Sequence, residues 1–84
     1  MEERVALIGI LVENYNSVEK LNSILHEYRE YIISRMGLPY KLKNINIISI
    51  GVDAPMDIIN AITGKIGKLD GISSKTVISR NKTN

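Results

Sequence analysis

Eight consecutive residues, Val5-Ala6-Leu7-Ile8-Gly9-Ile10-Leu11-Val12, carry no charge and no side-chain hydroxyl, and they constrain the fold more than any other stretch. The run is too short to span a bilayer, and its branched side chains favour a buried strand over a helix. A strand period of two sends Val5, Leu7, Gly9 and Leu11 to one side and Ala6, Ile8, Ile10 and Val12 to the other. Neither side suits water. A chain of 84 residues can cover one face of a sheet with its own helices but has little left for the second, so the strand predicts a partner.

The pattern then becomes helical. Val18, Leu21, Ile24, Leu25, Tyr28 and Ile32 follow three-and-four spacing, with Glu19, Lys20, Glu27, Arg29 and Glu30 opposite. Asn16 is placed to cap this helix, with Glu19 three residues on as its capping-box acid, so the helix is expected to start at Ser17. Met36-Gly37-Leu38-Pro39 forbids helix, and a second strand is expected over residues 33–40. Pro39 cannot donate to a ladder, which makes this an edge strand.

Lys41-Leu42-Lys43-Asn44 reads as a hairpin connection into a third uncharged strand over residues 45–52, which belongs beside the first. Asp53-Ala54-Pro55 signals a helix start, with the carboxylate as cap and the proline in the first turn. Ile58, Ile59, Ile62, Ile66 and Leu69 form its apolar stripe, Gly71 its C-cap, and residues 72–79 a fourth strand. The order βαββαβ with right-handed crossovers predicts an α+β, ferredoxin-like fold: a four-stranded antiparallel sheet of order 4-1-3-2 with both helices on one face. Residues 1–79 are read as a single domain and 80–84 as a frayed tail.

Composition narrows the function classes. Cysteine is absent, which excludes disulfides, thiolate metal sites and thiol nucleophiles and fits a cytoplasmic protein. Met1-Glu2-Glu3-Arg4 leads straight into the first strand with neither a basic n-region nor a cleavage site, and no apolar run approaches membrane-spanning length, so a soluble, unprocessed chain is expected. Eleven basic against nine acidic residues give a net charge of +2, a solvated surface rather than a polybasic one. The predicted central strands carry no aromatic platform for stacking bases, so no nucleic-acid binding is expected. His26 is the only histidine and lacks convergent ligands at fixed spacing, so no metal and no cofactor are expected. Asp53 and Asp57 are read as helix-start carboxylates, not as an acid–base pair. Gly64-Lys65-Ile66-Gly67-Lys68 falls within a helix and so is not a phosphate loop; glycines there suggest close approach to the sheet or to another subunit.

Arg4 through Glu13, Leu25-His26-Glu27-Tyr28, Ser34-Arg35-Met36-Gly37-Leu38-Pro39-Tyr40 and Ala61-Ile62-Thr63-Gly64-Lys65-Ile66-Gly67, with Gly71 and Lys75-Thr76-Val77, together resemble the small bacterial family of iron-only hydrogenase system regulators. The resemblance covers nearly the whole chain. It implies an ACT-like fold, similar to the ligand-binding domain of nickel-responsive transcriptional regulators but without their DNA-binding part. Those regulators hold nickel with several histidines and a cysteine, whereas here only His26 lies in a comparable helix.

The expected function is therefore a non-enzymatic, homo-oligomeric regulatory module that binds a small-molecule effector or a protein partner. A stand-alone metal-responsive module is the alternative. In ACT-like domains ligands tend to lie near the turn after the first strand, which makes Asn14, Tyr15 and Asn16 the candidate ligand residues. The helix-free side of the sheet, with Val5, Leu7, Leu11, Ile45 and Ile47, is the expected interface of a dimer or a dimer of dimers.

Overall fold

The computed structural model describes residues 3–80, so Met1-Glu2 and all but the first residue of the expected frayed tail lie outside the described residues. Alternation along the first strand is complete from Ala6 onward. In β1 (Glu3–Val12) Ala6, Ile8, Ile10 and Val12 are buried, whereas Leu7, Gly9 and Leu11 between them are exposed. The chain continues as α1 (Val18–Glu27), β2 (Ile32–Tyr40), β3 (Ile45–Pro55), α2 (Met56–Gly67) and β4 (Ile72–Ile78). The strands order as β2-β3-β1-β4 with every neighbour antiparallel. This is the expected ferredoxin-like α+β fold.

Both helices pack on the same side of the sheet. Ile8 and Ile10 of β1 and Ile50 and Val52 of β3 meet Leu21 and Leu25 of α1 and Ile59, Ile62 and Ile66 of α2, all at most 2% exposed. Full burial of one such side chain is worth about 1.5–3 kcal/mol, so this layer dominates the stability of the domain. At the surface the helices are clipped together by Lys65, whose Nζ lies 2.9 Å from the Glu27 carboxylate and 4.9 Å from the centroid of the Tyr28 ring. The Tyr28 side chain first, and Glu27 second, hold the lysine pKa above its usual value. An ion pair this exposed contributes little. Among the described residues no helix is long and apolar enough to cross a membrane.

Several boundaries differ from expectation, each for a tertiary reason. Asn16 does not cap α1. Asn14 Oδ1 instead accepts the Asn16 backbone N–H at 2.9 Å, starting a 3₁₀ turn at Tyr15–Ser17, and α1 follows from Val18. Ser17, released from capping, is buried and donates its hydroxyl to the Asp70 carbonyl. The helix stops at Glu27 and a second 3₁₀ turn, Arg29–Tyr31, leads into β2, so Tyr28 and Ile32 reach the core from outside the helix. Asp53 is not a cap either. It lies opposite Val5, because β1 extends back to Glu3 and keeps β3 paired as far as Pro55. Pro55 thus stands at the N-cap of α2, and only Asp57 occupies the first turn.

Gly71 is not the C-cap of α2, which ends at Gly67; it sits in the following turn with φ +69°. A Cβ on Gly64 or Gly67 would meet nothing within 4 Å, so neither glycine serves a close approach to the sheet. The edge position of Pro39 is as expected, and Asn44, left-handed at φ 54°, closes the β2–β3 hairpin.

Candidate functional site: the open sheet face and the groove at its end

The register makes the helix-free face a grid. Leu38, Ile47, Leu11 and Ser73 form one row across β2, β3, β1 and β4. Met36, Ser49, Gly9 and Lys75 form the next, and Ser34, Gly51, Leu7 and Val77 a third. The first row is an apolar ridge, and Leu7 with Val77 begins a second. Between them Gly9 and Ser49 leave a hollow of about 340 Å³ walled by Leu11, Ile47 and Lys75.

Exposure along these rows is high: Val77 is 67% exposed, Leu38 58%, Leu7 51%, Leu11 43% and Ile47 40%. Val5 and Ile45 are half-buried. The five residues expected on this side do lie on it. Met36, Leu38, Tyr40 and Val77 join them, and the sequence pattern had pointed to none of the four. Their signal was parity: once Leu38 pairs with Ile47 and Val77 with Leu7, the face of each follows.

At one end of this face lies a groove of about 380 Å³, lined among others by Glu13, Tyr15, Pro39, Tyr40, Lys41 and Asn46. Next to Glu13, which lines the groove, a latch joins two turns. Glu13 N–H donates to the Gly71 carbonyl at 2.7 Å, Ser17 Oγ to the Asp70 carbonyl at 2.6 Å, and Asn14 Nδ2 to the Asp70 carboxylate at 2.8 Å. The candidate residues Asn14, Tyr15 and Asn16 therefore do not converge. Tyr15, 79% exposed, stands over the groove with its phenol open to solvent. Asn14 spends both ends of its amide on hydrogen bonds within the chain, and Asn16 is exposed and does not line the groove.

His26 lies on α1, where the Arg29 guanidinium contacts its Nε2 at 3.3 Å. Among the described residues no three His, Cys, Asp or Glu side chains are grouped to hold a metal ion. Elemental analysis of protein purified without an affinity tag is expected to find no stoichiometric nickel, zinc or iron. A stoichiometric metal that disappears in His26→Ala would overturn this.

A family model with the description "TM1266-like: Iron-only hydrogenase system regulator, putative" matches residues 4–76. The solved structure of the uncharacterized protein TM1266 from Thermotoga maritima is similar at a TM-score of 0.90 and 31% identity, over 94% of this chain and 100% of that one. A formyltetrahydrofolate deformylase from Pseudomonas putida KT2440 matches at a TM-score of 0.66 and 8% identity, over 92% of this chain and 29% of the enzyme, a likeness of fold alone. No curated protein matches in sequence.

Proposed function

The chain belongs to the TM1266-like family, and on that premise we propose that it is a non-enzymatic, cytoplasmic regulatory module, assembled as a homo-oligomer and set by a small-molecule effector. Regulation of an iron-only hydrogenase system is the role the family description names. The observation that carries the assembly is the relief of the open face. Two apolar ridges flank a hollow of small residues, and a two-fold partner can seat a ridge of its own in that hollow. Contiguous exposed apolar surface of this kind marks an interaction site in a small protein.

The effector site is the end groove, with Tyr15 as the contact residue and Asn14 holding the turn beneath it. Tyr40 and Ile45 belong both to the groove and to the edge of the open face. A ligand there touches the subunit boundary, and it shifts the assembly to the extent that it binds one arrangement better than another.

A thermal-shift screen of amino acids, nucleotides and divalent metals tests the reading. An effector at a hundredfold over its Kd stabilises by about 2.7 kcal/mol, a rise in Tm on the order of 10 °C for a domain of this size. Tyr15→Ala is expected to abolish most of that rise. A ligand whose affinity survives both Tyr15→Ala and Asn14→Ala would place the site elsewhere.

A further inference from the structure

The two helices leave the inner surface of the edge strand bare. Every residue of β2 from Ile33 to Tyr40 is exposed, although Arg35 pairs with buried Ile50 and so faces the helix side. Between α1 and this strand runs a cleft of about 350 Å³ bounded by Asn22, Leu25, His26, Arg29, Ile32 and Arg35. We infer that this cleft is an oxyanion site for the phosphoryl group of a small phosphomonoester. It is separate from the subunit interface and stands independently of the effector groove.

Two guanidiniums enter the cleft and both are already held. Arg35 donates from Nη2 to Asn22 Oδ1 at 2.8 Å, and Arg29 donates from Nη1 to the His26 carbonyl at 3.0 Å. Each planar fork carries five N–H donors, so most remain to be used, and they lose less freedom on binding than those of an untethered side chain. Among the described residues no carboxylate pairs with either arginine, and none lines the cleft. Two like charges with no counter-charge in one concavity raise its potential for anions.

Arginine only donates, so in the 3.3 Å contact His26 Nε2 accepts from Arg29, and the imidazole helps hold that guanidinium in place. The carboxyl end of α1 opposes an anion, but with roughly half a negative charge against two full positive ones. A phosphomonoester suits the site better than a carboxylate because its three terminal oxygens and near-double charge can engage both forks at once. Its organic part has the half-buried side chain of Ile32 to rest on.

The test is a titration of the ¹⁵N-labelled full chain at low salt with inorganic phosphate, phenyl phosphate and acetate. Expected are saturable shifts of the Asn22, His26 and Arg35 amides with phosphate, tighter binding of phenyl phosphate and no saturation with acetate. Arg35→Gln is expected to weaken phosphate at least tenfold, and Arg35→Lys, which keeps the charge but loses the fork, by nearly as much. Arg29 also closes the end of α1, so Arg35, held through a side chain at an exposed edge, carries the decisive variants. Non-saturating shifts, saturation centred on Lys41 and Lys43, equal binding of acetate, or affinity unchanged in Arg35→Gln would each overturn the assignment.

Discussion

Leu7→Lys is expected to reduce the proposed homo-oligomer to monomers at micromolar concentration while leaving the fold of each chain in place. Leu7 lies near the middle of the open face, between Gly51 and Val77, and is half exposed in the isolated chain. Covering the remaining half is worth about 1 kcal/mol per chain by area, and a two-fold interface counts it twice. The lysine does more harm than the lost leucine does. An unpaired ammonium at the centre of an apolar contact is destabilising by several kcal/mol, enough to raise the dissociation constant about a thousandfold or more.

The monomer tolerates the change because this side chain points away from both helices, where water can solvate it. Light scattering and far-ultraviolet circular dichroism, run together, separate the two effects. A wild-type chain that is already a stable monomer at that concentration, or a variant with unchanged mass and Tm, would remove the interface from the open face.

The second large effect is expected at Gly71. Alanine there must adopt φ near +69°, which is unfavourable by about 1–2 kcal/mol for a residue with a Cβ. That Cβ would also fall 2.9 Å from the Asn14 backbone nitrogen and closer still to its Cβ, contacts no rotamer can relieve. Overpacking typically adds about 1–3 kcal/mol, so Gly71→Ala should destabilise by about 2–5 kcal/mol in chemical denaturation at fixed protein concentration. The three latch hydrogen bonds bridge these same turns, so the groove beside Tyr15 should loosen as well. Gly64→Ala is the matched control. It has open space and a helical backbone, and should gain up to about 1 kcal/mol. Two variants of equal stability would mean that the latch is not a structural element.

The latch also shows where sequence patterns stop. A period of two in residues 5–12 is a local property, and by itself it separates Ala6, Ile8, Ile10 and Val12 from Leu7 and Leu11; the packed helices put the first set beneath them. The same locality made the βαββαβ order, the edge position of β2 and the apolar stripe of α2 readable. Capping was not readable in this way. Asn14, Asn16 and Asp53 are all competent caps by type, and the choice among them depended on Asp70, 56 residues from Asn14, and on how far β1 runs beside β3.

The functional surfaces divide along the same line. The sequence contained the apolar parity of the two central strands, hence half of the open face. Met36, Leu38 and Tyr40 sit in a strand interrupted by glycine and proline, with a bulge between Ile32 and Ser34, so only pairing with β3 could assign them a side. Arg29 and Arg35 read as ordinary surface charges until a 3₁₀ turn and a bare strand edge brought them to one cleft. Side-chain periodicity is set by each residue's own backbone, and the chain carries it wherever it folds. Convergence of residues distant in sequence requires the packed sheet, which alone determines the distances between them.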